Sequence, residues 1–134
     1  MAFVSSFVYC DRIQEMMTPD GPVSQVVSPI QGLRPINLPG NYSFAIACSI
    51  CDFDGRKKNK VKIKCLDPIG TDVLGCETID IEPIGEAAQG IGTTLNINLD
   101  FRNVVLRMAG VYTSVVYFND EKIGEYKIGV SKAE

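Results

Sequence analysis

Five cysteines are the residues whose type and spacing could most readily hold a metal ion. Cys48 and Cys51 form a Cys-x-x-Cys pair, and together with Cys65 and Cys76 they could supply four thiolates to zinc. The second pair lacks this short spacing, and strand alternation would send Cys48 and Cys51 to opposite faces. We therefore expect small buried hydrophobic residues here, and we predict no metal and no cofactor. An odd number of cysteines also favours a reducing compartment.

Acidic residues give two further candidates. Asp52-Phe53-Asp54-Gly55 resembles the beginning of a calcium loop, but Ile63 stands where such a loop needs a bidentate carboxylate. Asp and Gly are equally typical of a hairpin loop. Asp72 and Glu77 could act as an acid/base pair of a hydrolase, although nothing in the sequence places them in a cleft. The chain has no histidine, which excludes Ser-His-Asp and Cys-His catalysis. We expect no catalytic residues and no enzyme.

A run of cations from residue 56 to residue 64 is the strongest local charge signal. Such a run could attract phosphate, a polyanionic glycan or nucleic acid, or it could be a solvated strand face that discourages edge-to-edge pairing. No aromatic residue interleaves with the lysines to stack on bases, and a net charge of −3 gives no bulk attraction to polyanions or anionic membranes. We favour the structural interpretation and expect neither nucleic acid nor membrane as a partner. The candidate anion patch consists of Arg56, Lys57, Lys58, Lys60, Lys62 and Lys64.

Alternation of apolar and polar residues predicts about eight strands and no amphipathic helix. In Lys60–Leu66, for example, Val61, Ile63 and Cys65 share one face. Regular short strands separated by turn signals indicate a single antiparallel β-sandwich domain over residues 1–134. We expect a helical turn at 11–18, and a loop or one helical turn at 84–93. The other predicted strands are Phe3–Cys10, Val23–Ile30 at an edge, Tyr42–Cys51, Val73–Pro83, Thr94–Phe101, Val111–Phe118 and Ile123–Val130.

The last two predicted strands flank the polar break Asn119–Lys122, which is typical of a hairpin. Near the start of the first of them, Tyr112 occupies the position of the tyrosine corner of immunoglobulin-like sandwiches, whose hydroxyl bonds to upstream backbone. Ser114 stands two residues later, where antibody domains have a cysteine. The pattern predicts an immunoglobulin-like fold without that inter-sheet disulfide.

The strand Val111–Phe118 is apolar on both faces. If Tyr112 points into the core, then Val111, Val115 and Tyr117 point outward and need another cover. That cover could be the loop 84–93 or a second subunit. We therefore treat these three residues as a self-association patch of a homo-oligomer.

Three segments resemble a family of small bacterial and phage-associated domains of unknown function. They are Tyr9-Cys10-Asp11, the turn Asp67-Pro68-Ile69-Gly70, and the hairpin that runs from Gly110-Val111-Tyr112 to Asp120-Glu121-Lys122-Ile123-Gly124. The resemblance implies an immunoglobulin-like sandwich of about seven to eight strands and supplies no activity.

Three functions remain open. A non-catalytic protein-interaction or structural module, phage-related and bound to an unknown protein or to itself, ranks first. A carbohydrate- or small-ligand-binding sandwich ranks second, because it would depend on Tyr42, Tyr117 and Tyr126 in a chain without tryptophan; a carboxylate hydrolase ranks last. The first ten residues lack signal-peptide features, and no apolar run approaches the ~20 residues of a membrane span. We expect the cytoplasm, or a particle assembled there.

Overall fold

The computed structural model describes residues 1–75, 77–90 and 92–133, and these contain nine strands and no helix. The four-stranded sheet has the order β2-β1-β4-β7, and the five-stranded sheet has the order β3-β9-β8-β5-β6. The predicted all-β sandwich is confirmed. The strands are β1 (Phe3–Thr18), β2 (Gly21–Pro29), β3 (Gly32–Leu33), β4 (Gly40–Cys51), β5 (Asn59–Leu66), β6 (Glu77–Ile81), β7 (Thr94–Leu106), β8 (Gly110–Phe118) and β9 (Glu121–Val130).

The connectivity is that of an immunoglobulin domain. β1, β4 and β7 are neighbours in the order of strands A, B and E, and β6, β5, β8 and β9 are neighbours in the order of strands C′, C, F and G. The short β3 pairs with β9 in parallel, whereas the other described strand pairs are antiparallel.

The core lies between the two sheets and follows the predicted alternation. From β5, Val61, Ile63 and Cys65 are buried. From β4, Phe44, Ile46 and the residues that continue this face are buried opposite them. Burial of these side chains supplies the main stabilising term, about 1.5–3 kcal/mol for each large aliphatic or aromatic residue.

The predicted tyrosine corner is present. Tyr112 is 0% exposed, and its hydroxyl donates a hydrogen bond to the backbone oxygen of Met108 at 2.9 Å. The following hairpin turn is formed by Asn119 and Asp120, whose φ angles are +49° and +69°. Two consecutive positive φ angles are typical of a two-residue type I′ turn, so the closing hairpin is also confirmed.

Two expectations about local structure are wrong. Residues 11–18 form no helical turn but continue β1, because they pair with β2 over Arg12–Thr18. The strand expected at Val73–Pro83 is confined to Glu77–Ile81, and Asp72 forms an isolated bridge with Leu66. Of the two alternatives for 84–93, the described residues adopt the loop, with a short turn at 86–87.

The hairpin of β1 and β2 beyond Cys10 is an arm in which β1 no longer pairs with β4. The first part of β1 pairs with β4, and the second part pairs with β2, which is the predicted edge strand. Near the middle of the arm, the Ser24 hydroxyl accepts a hydrogen bond from Asn98 Nδ2 at 2.9 Å. The arm is therefore folded back over the outer surface of the four-stranded sheet, and Met17 at its end is 80% exposed.

Residues 1–75, 77–90 and 92–133 contain no helix of the length and apolar character that a membrane span requires.

Candidate functional site

The run of cations is divided where the loop ends and β5 begins. Arg56, Lys57 and Lys58 belong to the loop that precedes β5. The Arg56 side chain binds the Asp54 carboxylate at 2.9 Å, and this contact holds the pKa of Asp54 at about 2. Lys58 Nζ lies 3.5 Å from a carboxylate oxygen of Glu82. Two of the three loop cations therefore already have an acidic partner.

The three lysines of the run that lie on β5 are in a different environment. Lys60 forms a 3.0 Å ion pair with Asp120 in the hairpin turn. Lys62 and Lys64 alternate with the buried Val61, Ile63 and Cys65, so they project from the outer side of the five-stranded sheet. The six predicted cations thus do not form one anion site; the structure brings only the β5 lysines onto a common surface.

We call this surface the lysine face. It consists of the outward side chains of three neighbouring strands, β5, β8 and β9. Its members are Lys62, Lys64, Val111, Val115, Tyr117, Lys122, Glu125 and Lys127.

Strand register places an aromatic ring among the lysines. Tyr117 pairs with Lys62 on one side and with Lys122 on the other. The ammonium nitrogen of Lys64 lies 5.7 Å from the centre of the Tyr117 ring, within the range of a cation–π contact. The sequence run itself contains no aromatic residue, so this neighbour could be found only from the pairing of β5 with β8.

The predicted self-association patch is only partly open. Val111 is 55% exposed and Tyr117 is half-buried, but Val115 is only 4% exposed. Val115 is flanked in the sheet by Lys64 and Glu125, and the long stem of a lysine can cover apolar surface. Val111 and Tyr117 are therefore the apolar members of the lysine face that a partner could contact.

The described residues of the loop 84–93 do not provide the cover that the sequence left open. Instead, its described part binds the loop that precedes β5. The amide of Gly55 donates to the Ala88 backbone oxygen at 2.6 Å, and the amide of Ile84 donates to the Gly55 backbone oxygen at 2.7 Å. This contact lies at one end of the sandwich, whereas Val111 lies near the start of β8 at the other end.

Charge is unevenly paired on the lysine face. Lys122 and Glu125 form an ion pair with each other, which lowers the pKa of Glu125. Among the side chains that the structure describes, Lys62, Lys64 and Lys127 have no carboxylate within 4.0 Å. This face is therefore cationic, although the chain as a whole carries a net charge of −3.

The cysteines take the positions that strand alternation predicts. Cys48 points into the core, where burial raises the pKa of its thiol to about 12. Cys51 points to the opposite face, and its sulfur lies 3.4 Å from the Ser5 hydroxyl oxygen. Cys65 is buried in the other sheet, and Cys76 lies outside the described residues. In the described part of the chain, no three Cys, Asp or Glu side chains are grouped to hold a metal ion.

The candidate acid/base residue Asp72 has a structural contact. One of its carboxylate oxygens accepts hydrogen bonds from the backbone amides of Leu74 at 3.0 Å and Cys65 at 3.3 Å. It therefore closes the turn that follows β5. The side chain of Glu77 lies outside the described part of the chain.

A pocket of about 390 Å³ at one end of the sandwich was not predicted from the sequence. It is formed where three loops distant in sequence meet, and its wall includes Phe53, Gln89 and Asn119. Of its charged members, Asp54 pairs with Arg56 and Asp52 pairs with the amino group of Met1.

The three tyrosines considered for a carbohydrate site lie apart from one another, and two of their rings already contact other side chains. The Tyr126 ring stacks on Phe7 at a centroid distance of 4.3 Å. The Tyr117 ring lies beneath Lys64, and Tyr42 is half-buried on the other sheet. These three tyrosines do not form a common platform.

Residues 5–131 match the family of unknown function DUF6941. The chain belongs to this family. The comparison with curated proteins found no match. The predicted membership of an immunoglobulin-like family of unknown function agrees with the match and with the strand order described above.

Three solved structures are similar to this chain at low sequence identity. An immunoglobulin-like protein from Pseudomonas aeruginosa is 12% identical, with a TM-score of 0.44, and the alignment covers 98% of this chain and 97% of that protein. The alkylpurine DNA glycosylase AlkC of Pseudomonas fluorescens, bound to DNA containing an abasic site analogue, is 11% identical with a TM-score of 0.49, over 97% of this chain but 30% of that one. A β-glucosidase from Listeria innocua in complex with glucose is 12% identical with a TM-score of 0.45, over 88% of this chain and 19% of that one.

Proposed function

We propose that this chain is a non-catalytic protein-interaction or structural module that contacts its partner through the lysine face. The observation that carries the proposal is a cationic sheet face that also presents the exposed Val111 and the half-buried Tyr117 near the two ends of β8. Protein–protein contacts commonly combine such apolar side chains with charged ones at the rim. The partner is another protein or a second copy of this chain.

The proposal extends to the biological setting. The resemblance to bacterial and phage-associated domains supports a role in the cytoplasm or in a phage-like particle assembled there. A module that works by contact alone needs a rigid scaffold, and the two hydrogen-bonded sheets provide one.

Photo-crosslinking in the source cell tests this function directly. A photoreactive phenylalanine analogue is placed at Val111, which is 55% exposed, and, as the matched control, at Val105, which is 46% exposed on the four-stranded sheet. We expect a discrete protein adduct from position 111 and none from position 105. Absence of an adduct from position 111, or the same adducts from both positions, would contradict the proposal.

Light scattering of the unmodified protein, read together with the identity of the adduct, distinguishes a second copy of this chain from a different protein. If the adduct contains a second copy of this chain, the unmodified protein should be an oligomer at high micromolar concentration. An adduct with a different protein, together with a monomer in solution, would assign the face to a foreign partner and remove self-association.

A further inference from the structure

The lysines on β5 are spaced to match an extended chain. Lys62 and Lys64 are two residues apart on one side of the strand, and an extended strand rises about 3.3 Å per residue, so their Cα atoms are about 7 Å apart. Alternate side chains of a second extended polypeptide have the same separation. Two carboxylates at alternate positions of such a segment could therefore each meet one lysine.

The surroundings of these lysines decide against symmetric pairing of two copies. In a two-fold contact each face meets the identical face of its partner. Two net-cationic faces would then meet, and in the described part of the chain no carboxylate lies within 4.0 Å of Lys62, Lys64 or Lys127 to compensate. Like charges brought together across an interface oppose association.

We propose that the lysine face binds an extended acidic segment of another protein, with carboxylates at alternate residues lying against Lys62 and Lys64. This proposal rests on the proposed function, because it names the partner of the same face. Lys127 supplies a third cation farther along the face, and the exposed Val111 offers an apolar side chain for the partner's aliphatic groups.

The same surface is a poorer match for nucleic acid. Glu125 sits beside Val115 in the next strand, and Asp80 pairs with Lys60 at the edge of the sheet. A continuous row of phosphates would meet these carboxylates, whereas a peptide can place neutral residues opposite them. Base stacking depends on accessible aromatic rings, and the ring of Tyr117 on this face lies beneath Lys64.

The test uses fluorescence anisotropy with the full chain and a labelled peptide that alternates Glu and Thr over about twelve residues, enough to span the sheet. We expect saturable binding that weakens as salt is added. Replacing both Lys62 and Lys64 by Ala should weaken binding by about tenfold or more, which corresponds to two lost charge-assisted contacts. A double variant with Lys57→Ala and Lys132→Ala removes the same charge from exposed positions elsewhere and should change the affinity by less than about twofold. Circular dichroism and a thermal melt confirm that both variants fold.

Three outcomes of the peptide titrations would overturn the proposal. They are no saturable binding of the Glu–Thr peptide, equal binding of a neutral Gln–Thr peptide, and equal losses in the two double variants. Tighter binding of an oligouridylate of the same charge, lost with Lys62 and Lys64, would assign the face to nucleic acid instead. A photo-adduct at Val111 whose partner segment is not acidic would also refute this inference while leaving the proposed function intact.

Discussion

The hydroxyl of Tyr9 lies 2.5 Å from the hydroxyl oxygen of Ser114, and this hydrogen bond joins the two sheets inside the core. Tyr9 belongs to β1 in one sheet and Ser114 to β8 in the other. Ser114 stands two residues after the corner tyrosine, where antibody domains place a disulfide cysteine. The inter-sheet link at this position is therefore a hydrogen bond between hydroxyl groups.

Removal of either hydroxyl should destabilise the fold, and the two losses should not add. Tyr9→Phe should lower the free energy of unfolding by about 1–3 kcal/mol, because Ser114 is left buried without this partner. Ser114→Ala should cost less, since the Tyr9 hydroxyl can still donate to the Tyr126 backbone oxygen at 3.2 Å. Urea denaturation of the two single variants and the double variant measures the coupling. Tyr42→Phe, at a half-buried position, is the matched control, and purely additive effects would show that the bond contributes nothing.

Tyr112→Phe should lower the free energy of unfolding by about 1 kcal/mol or more, because the Met108 carbonyl loses its buried donor. Chemical denaturation monitored by circular dichroism measures the change. Retention of full stability would mean that the corner contact does not contribute to the fold.

Gly110→Ala should destabilise the start of β8. Gly110 has a φ of +139°, and a Cβ atom there would lie 2.6 Å from the Cγ atom of Pro68. Both the backbone conformation and the ring of the neighbouring turn oppose a side chain, so we expect a loss of about 1–3 kcal/mol. Gly70→Ala provides a comparison, since its φ is also positive at +90° but open space surrounds it. If both variants lose the same stability, the Pro68 contact is irrelevant.

The thiols should differ in reactivity at mildly alkaline pH. Hydrogen bonding with the Ser5 and Thr94 hydroxyls lowers the pKa of Cys51, whereas burial raises the pKa of Cys65 to about 11 and that of Cys48 to about 12. Because the thiolate is the reactive form, iodoacetamide should modify Cys51 before Cys48 and Cys65, as peptide mapping by mass spectrometry would show. Faster labelling of Cys48 or Cys65 in the folded protein would contradict the assigned burial.

The same two buried thiols predict how stability depends on pH. Their folded-state pKa values lie above the unfolded value of about 8.5, so the neutral thiols favour the folded state fully below that pH. Stability should then fall as pH rises from about 9 toward 11 and 12, because the unfolded chain loses these protons first. A double Cys48→Ala and Cys65→Ala variant should show a smaller fall over this range in thermal melts, and an unchanged slope would exclude the thiols as its cause.

The sequence predicted the sandwich well wherever one face of a strand is buried and the other is not. β5 is the clearest case, because its lysines alternate with core residues. The strand at Asp11–Thr18 was not predicted, because the arm exposes side chains on both faces and its sequence therefore shows no alternation of apolar and polar residues. The two-residue β3 is too short to leave any pattern.

The lysine face could be predicted only in part. Alternation indicated that Lys62, Lys64 and Val111 point outward, but the run of cations gave no sign of where the loop ends and the strand begins. Asn59 marks that boundary, since its side-chain amide donates to the Asp54 and Lys57 backbone oxygens and closes the loop. The approach of Lys64 to Tyr117 depends on a register between two strands far apart in sequence, which alternation within each strand does not determine.

The β1–β2 arm has a practical consequence. Its end is the exposed turn Pro19-Asp20, which connects β1 to β2. Neither residue belongs to the core between the two sheets. Exposed hairpin ends of this kind accept inserted sequence without loss of the underlying fold. An affinity tag or fluorescent label inserted between Pro19 and Asp20 should therefore leave the fold intact. It would also leave the outer surface of the five-stranded sheet accessible.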